Sequence, residues 1–341
     1  MNSVRVIADH KSSIESISQI ELVVVINSFN RVQLLRESIT SINKALNLAF
    51  PKNSAIIVFE AGSTDGSQEF LEEFIQQNQD RDIISIQPNP GIDSSFSSGC
   101  NLAIQIAAER FPQLKWCLLF ETDNLIENPE ALSLAVKLLK QQEDLGAVGF
   151  TVQGAAFCSR FPKPFAFVLG LQLSHRIGLE RMEIFEWFSL ENYRWGYSEV
   201  VYSSPLLIKY PIWQATGGMD ALNFPFSDSD TDWCWRVYKH HWKIAILEIS
   251  GVIHDNKMVN SSWSNKRVLN FHQARYRLLL KHKGQWISFL KPLLFLRHLA
   301  EFFILKLKSF SSRQDQKLQI QNSCENRINL MKTVFNNYEV T

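Results

Sequence analysis

No two of the five cysteines (Cys100, Cys117, Cys158, Cys234, Cys324) stand in C-x-x-C spacing, and their number is odd. A disulfide framework or a cysteine zinc site is therefore not expected, and a reducing, cytoplasmic location fits best. Charge of one sign is also missing. Thirty-five Lys and Arg against 34 Asp and Glu leave a formal net charge of +1, so no global field points to nucleic acid. The opening "MNSVRVIADHKSS" has no apolar core, which argues against a signal peptide. No uncharged apolar run reaches the roughly 18 residues that would read as a membrane span. There is no internal repeat and no low-complexity segment. Gly-x-Gly-x-x-Gly is absent after the first strand-like run, which disfavours a cofactor cradled by a glycine-rich turn and favours a nucleotide held through a bound metal.

The 341 residues suffice for one large domain or two, and 45% hydrophobic with 20% charged residues is ordinary for a folded chain. Aromatics reach 12%, with 24 Phe and 9 Trp, many between Phe157 and Trp242. They serve either as core or as a platform for the flat faces of sugars.

Continuous apolar runs alternate with helical spacing. "ELVVVI" holds a doubly buried strand, Leu22 to Ile26, and "VQLLRESITSINKALN" follows with Leu34, Leu35, Ile39, Ile42 and Leu46 on one face. "AIIVF" is a second strand. After it, Asp65 and Gln68 read as a helix-capping pair before Phe70, Leu71, Phe74 and Ile75. "NLAIQIAAERF" predicts a helix and "WCLLF" a third strand. The expectation is an α/β fold, a mostly parallel sheet flanked by helices with a helical C-terminal extension. Its parts are a loosely ordered stretch 1–19, a domain 20–255 with halves 20–125 and 126–255, and the extension 256–341. In such a sheet, ligands sit beyond the carboxyl ends of the strands. Those ends carry Asn27 and Ser28, Glu60, and "ETDN" at Glu121 to Asn124.

One stretch concentrates charge beside aromatic surface: "FSDSDTDWCWR", with Asp228, Asp230 and Asp232 at alternate positions. A calcium loop counted from Asp228 needs glycine at its sixth position and glutamate at its twelfth, where Trp233 and Lys239 stand. A helix start capped by Asp228 or Asp230 accounts for the acid ahead of "WCWRVYKHH" but not for three carboxylates.

Taken in order, "NSFNR", "VFEAGSTDGS", "NPGIDSSFSSGCNLAI", "LLFETDN", "ATGGMD" with "SDTDWCWR", and "GVIHD" resemble family-2 glycosyltransferases with the A-type nucleotide-sugar fold. The resemblance spans about residues 20–256. It implies a metal-assisted inverting transfer from a UDP- or dTDP-sugar donor to a glycan, glycolipid or small-molecule acceptor, in polysaccharide or glycoside synthesis. It places Ser28 and Phe29 at the nucleotide, Glu60 at the base, Glu121 near the ribose and Asn101 with the donor-binding residues. It places Asp123 and His254 on Mn²⁺ or Mg²⁺ and makes Asp230 the acceptor-activating base. Glu60 and Glu121 stand where the family more often has aspartate, and Ser229 stands where it has glutamate. The rival reading is a non-catalytic glycosyltransferase-like protein that binds a nucleotide or scaffolds a partner; a weaker one is nucleotidyl transfer.

The segment 286–308, "WISFLKPLLFLRHLAEFFILKLK", is rich in Leu and Phe but broken by charge. It is expected either to pack on the catalytic domain or to lie on an anionic membrane, aided by Arg275, Arg277, Lys281 and Lys283.

Overall fold

A computed structural model of the chain describes residues 3–9, 19–156, 158–170, 184, 186–254, 265–311 and 313–336. Its strands are β1 (Val4–Asp9), β2 (Leu22–Ser28), β3 (Ser54–Glu60), β4 (Asp82–Pro88), β5 (Trp116–Leu119), β6 (Asn124–Ile126), β7 (Leu145–Val152), β8 (Ala155–Ala156), β9 (Cys158–Ser159), β10 (Phe188–Leu190), β11 (Tyr193–Ser198), β12 (Val200–Val201), β13 (Leu206–Lys209), β14 (Lys243–Glu248) and β15 (Val252–His254). Its helices are α1 (Val32–Ala49), α2 (Ser67–Gln77), α3 (Phe96–Arg110), α4 (Glu130–Gln141), α5 (Pro164–Leu169), α6 (Tyr210–Thr216), α7 (Ser229–Lys239), α8 (Asn265–Lys283), α9 (Lys291–Ser311) and α10 (Gln314–Thr333). The chain divides into two compact units. One holds Met1–Ser159, Met182–Ala221 and Ser229–Val259; the other holds Arg160–Arg181, Leu222–Asp228 and Asn260–Thr341.

The first unit is built on one sheet in the order β1-β4-β3-β2-β5-β13-β7-β14-β11-β10, with β8 beside β7. Seven of these ten strands (β2, β3, β4, β5, β7, β10, β14) run one way and three (β1, β11, β13) run against them. The parallel heart reflects the sequence directly. β2 and β3 are Val- and Ile-rich without alternation, and both faces are buried under α1, α2 and α3. α1 buries Leu34, Leu35, Ile39, Ile42 and Leu46, the expected face, and stops at Phe50 because Pro51 cannot extend it. α3 lies so close to the sheet that a Cβ on Gly99 would come within 2.1 Å of Asn27 Oδ1 and 2.6 Å of the Phe59 ring. Only glycine allows that approach.

β1 and β4 are among the strands that the sequence did not announce. β1 falls within the stretch expected to be loose. It pairs antiparallel with β4, Arg5 donates to Gln87, and Arg110 grips Asp9 with bonds of 2.7 and 2.9 Å. Val4, Val6 and Ile7 favour a strand, and these partners hold it in place. β4, "DIISIQP", interrupts its apolar run with Ser85 and Gln87, which are nevertheless buried. The Gln87 amide has a buried carboxylate partner, Glu60.

The second unit is helical. Phe167, Tyr276, Leu279, Leu280, Ile287, Leu290 and Leu294 form its core. It also takes in Leu222–Asp228, so the division falls inside the acidic stretch, between Asp228 and Ser229. Asp228 is left-handed (φ 58°) and its carboxylate is held by Arg275 through two bonds, Nε to Oδ2 at 2.9 Å and Nη2 to Oδ1 at 2.8 Å. Both side chains are nearly buried, at 3% and 12% exposed, and the guanidinium also lies over the Phe271 ring. Removing one member strands the other charge. Arg275→Ala is expected to cost roughly 3 kcal/mol of unfolding free energy, and Arg275→Lys, without the planar fork, to recover only part of it. Urea unfolding measures this; an unchanged midpoint would show that the pair contributes nothing.

Candidate active site

The carboxyl edge of the parallel strands is organised by two loops. Asn30 accepts from the Thr64 N–H at 2.8 Å, and its own N–H donates to Ser63 Oγ at 2.8 Å, tying the β2–α1 loop to the β3–α2 loop. Asp65 accepts from the Val32 N–H at 2.8 Å and from the Ser67 N–H and hydroxyl, so one carboxylate serves the first turns of both α1 and α2. It opposes burial with these bonds, and its pKa lies below the usual carboxylate value. Asp65 stands one residue before Gly66, the N-cap of α2, and still accepts from the first turn of that helix. Gln68 does not complete the pair, because its amide turns to Glu60 Oε2.

Register places Ser28 beside Glu60. The Ser28 hydroxyl is buried and has no hydrogen-bond partner among the described residues, while the next residue, Phe29, is 56% exposed. Glu60 is engaged within the protein. It is fully buried and accepts from the Gly62 and Ser63 N–H groups at 3.0 and 2.8 Å and from the Gln68 and Gln87 amides at 3.1 and 2.9 Å. Four donors occupy a carboxylate that the sequence offered to a nucleotide base. The longer Glu side chain folds back and holds the loop instead.

Asp123 follows β5 and is buried. The antiparallel pairing of β15 with β6 sets His254 opposite Asn124, bringing its Nδ1 to 3.3 Å from Asp123 Oδ1 and 2.9 Å from Asn124 Nδ2. Asn124 is oriented by its own Oδ1, which accepts the Glu121 N–H at 2.9 Å. Neutral His254 thus accepts from Asn124, and protonated His254 donates to Asp123. Burial pushes the His254 pKa down, but Asp123 and Glu121 outweigh it and the net direction is up. Burial, then the Asp123 charge, push the Glu121 carboxyl above its ordinary value. Arg31 Nη1, 3.6 Å from Asp123 Oδ2, is 40% exposed and neutralises the pair only partly. With His254 neutral, Asp123 Oδ1 accepts no hydrogen bond among the described residues. A buried carboxylate oxygen without a proton donor, beside an imidazole nitrogen, suits a divalent cation. Among the described residues no group of three His, Cys, Asp or Glu side chains could hold an ion unaided. Asp255, which ends the "GVIHD" motif, lies outside them.

Asp230 is the second residue of α7. Its Oδ1 accepts the Thr231 N–H at 2.7 Å and its Oδ2 lies 3.4 Å from the Ser203 N–H. The Ser203 hydroxyl in turn lies 3.3 Å from Glu121 Oε1. Ser203 therefore connects the acidic end of β5 to the start of α7. Asp232 is fully buried and paired with Arg236 at 2.8 Å, and Arg236 donates onward to the Thr216 carbonyl. Trp233 and Trp235 are both buried, so neither offers a broad ring face to a ligand. Trp233 Nε1 donates to the Thr216 hydroxyl at 3.0 Å.

Asn101 is also engaged within the protein. Its amide nitrogen donates to Met219 O at 2.7 Å and its oxygen accepts from Met219 N at 2.9 Å. The side chain spends both groups on the "GGMD" backbone, and left-handed Gly218 leaves room for it: a Cβ there would be 2.6 Å from Asn101 Oδ1. In this arrangement Asn101 clamps the "GGMD" backbone. Arg31, Asn124 and Ser203 were not singled out from the sequence. Arg31 and Asn124 sit inside quoted motifs and could have been. Ser203 is brought in by β13 and its approach, which no local pattern announces.

Residues 23–185 match the family model described as glycosyl transferase family 2. No curated protein matches the sequence. Among solved structures, GalNAc-T7 with UDP, GalNAc and Mn²⁺ superposes with a TM-score of 0.51 at 12% identity, over 76% of this chain and 48% of that one. A mannosyltransferase from Pyrobaculum calidifontis in complex with GDP-Man and Mn²⁺ aligns over 92% of this chain and 84% of its own, at 14% identity and a TM-score of 0.49. The S. aureus TarS fragment 1–349 aligns over 92% and 90%, at 12% identity and a TM-score of 0.48. The sheet and its flanking helices are the A-type fold of nucleotide-sugar transferases, as expected.

Proposed function

We propose that this chain, whose residues 23–185 match the glycosyl transferase family 2 model, moves a sugar from a UDP- or dTDP-linked donor to a hydroxyl acceptor with inversion at the anomeric carbon. The observation that carries the reading is the meeting of Glu121, Asp123 and His254 beyond β5, joined through Ser203 to Asp230. The UDP, GalNAc and Mn²⁺ bound by GalNAc-T7 support it.

In the transfer, the acceptor oxygen forms a bond to the anomeric carbon as the bond from that carbon to the phosphate oxygen breaks. The electron pair leaves with the nucleoside diphosphate, and the hydroxyl proton passes to Asp230. The Thr231 and Ser203 N–H groups fix the direction of the Asp230 carboxylate. Asp123 and neutral His254 would hold Mn²⁺ or Mg²⁺, which when bound offsets the charge growing on the departing diphosphate. Two protein donors leave other positions for phosphate oxygens and water, as Mg²⁺ sites usually do. Ser28 has an unpaired hydroxyl and Phe29 an exposed ring for the nucleotide. Glu121 faces the ribose in this reading. Glu60 and Asn101 support the loops around it.

Incubation with a panel of nucleotide sugars, Mn²⁺ and hydroxyl acceptors should release nucleoside diphosphate, with the product anomer inverted by proton NMR. Binding of nucleotides without turnover of any donor would instead favour a scaffold, and release of pyrophosphate would favour nucleotidyl transfer.

A further inference from the structure

We propose that the exposed face of α9 lies flat on an anionic lipid surface. Phe289, just before the helix, and Leu293, Leu296, Phe303, Leu307 and Phe310 recur at spacings of four, three, seven, four and three residues, and each is between 47% and 86% exposed. At about 100° per residue, the named positions from 293 to 310 fall within a stripe about 100° wide. The other side of the helix is used internally. Leu294 and His298 are buried, and the Phe295 ring packs tilted against Phe335 with centroids 5.7 Å apart. Glu301 is the one acidic residue of α9, and it turns inward to Arg297 at 3.4 Å and Arg327 at 2.9 Å.

Charge selects the occupant. Lys306 and Lys308 are exposed and flank the stripe, each about 100° from its centre and on opposite sides. Their stems extend the apolar band while their ammonium groups stay at its rim, the arrangement that suits acyl chains below and anionic headgroups beside them. A second copy of the chain would set like-charged rims against each other, with no exposed carboxylate on either α9 to meet them. Among the described residues no helix is long and apolar enough to cross a membrane, so the helix rests on the surface. Its 21 residues give a contact about 30 Å long. Of the cations expected to assist, Arg275 is committed to Asp228, Arg277 donates to the Asn223 carbonyl at 3.5 Å, and Lys281 lies over the Phe224 ring at 5.2 Å. Lys306 and Lys308 stand on α9 itself, Lys306 with its ammonium 5.7 Å from the Phe302 ring centroid.

The test is co-sedimentation of the full chain with vesicles rich in phosphatidylglycerol and with vesicles of phosphatidylcholine alone. The chain should pellet with the anionic vesicles, far less with the neutral ones, and less as salt is raised. Leu307→Glu should abolish pelleting with unchanged thermal unfolding, since the side chain is 69% exposed. Lys306→Ala and Lys308→Ala should each weaken binding about fivefold. Recovery in the supernatant with anionic vesicles would overturn the proposal, as would wild-type binding by Leu307→Glu. A concentration-dependent dimer that Leu307→Glu dissociates would assign the face to a second copy instead.

Discussion

Asp123→Ala is expected to lower turnover by at least about 10³-fold while the protein stays folded. The cation that Asp123 and His254 would share supplies several kcal/mol of charge stabilisation in reactions of this type, and each 1.36 kcal/mol is about a factor of ten in rate. The structure shows why stability should not follow activity. Asp123 is buried beside a second carboxylate, Glu121, and Arg31 reaches it only at 3.6 Å from a half-exposed position. Such a group costs folding energy, so its loss is neutral or stabilising. Asp123→Asn keeps the shape and one ligand oxygen and should fall between wild type and Ala. The measurements are kcat with and without Mn²⁺ or Mg²⁺, and the thermal midpoint of each variant. Full turnover in EDTA, or by Asp123→Ala, would refute the cation site.

Asp230→Asn should cut kcat by about 10²–10⁴ with little change in donor binding, the range for losing a general base. The amide oxygen can still accept the Thr231 N–H, so the helix start is preserved. What disappears is an oxygen able to take the acceptor's proton. Asp228→Asn, two residues away, supplies the contrast. Its carboxylate faces Arg275, so it should lose stability and keep kcat near wild type. Near-normal kcat in Asp230→Asn, with an acceptor for which chemistry limits the rate, would remove the base assignment.

The sequence made the parallel strands and their helices legible because burial on both faces leaves an unbroken apolar run, which a half-exposed strand or a surface helix does not produce. β2, β3, β5, α1 and α2 all fall where the pattern puts them. β4 escaped because Ser85 and Gln87 break its run, and their burial makes sense only once Glu60 is seen as Gln87's partner. The candidate site was legible where a motif sits at a strand end, as with Asp123, or where a strand pairing carries a residue to it, as with His254 and β15. Position told less about Glu60 and Asn101. Each stands in the quoted motif, but hydrogen bonds to partners 2 to 118 residues away settle what its side chain does. A side chain that completes a site and one that braces it can occupy the same motif position.

The pairing of β1 with β4 also bears on how this protein would fail. β4 is the outermost of the parallel strands, and β1 hides its edge. Without that cover, Asp82–Pro88 would present unpaired N–H and C=O groups along a segment containing Ile83, Ile84 and Ile86. Such an edge is a template for strand addition from another molecule. Deleting residues 1–9 should therefore leave the strand-end residues in place yet make the protein prone to aggregate, and the short first strand acts as a guard on solubility.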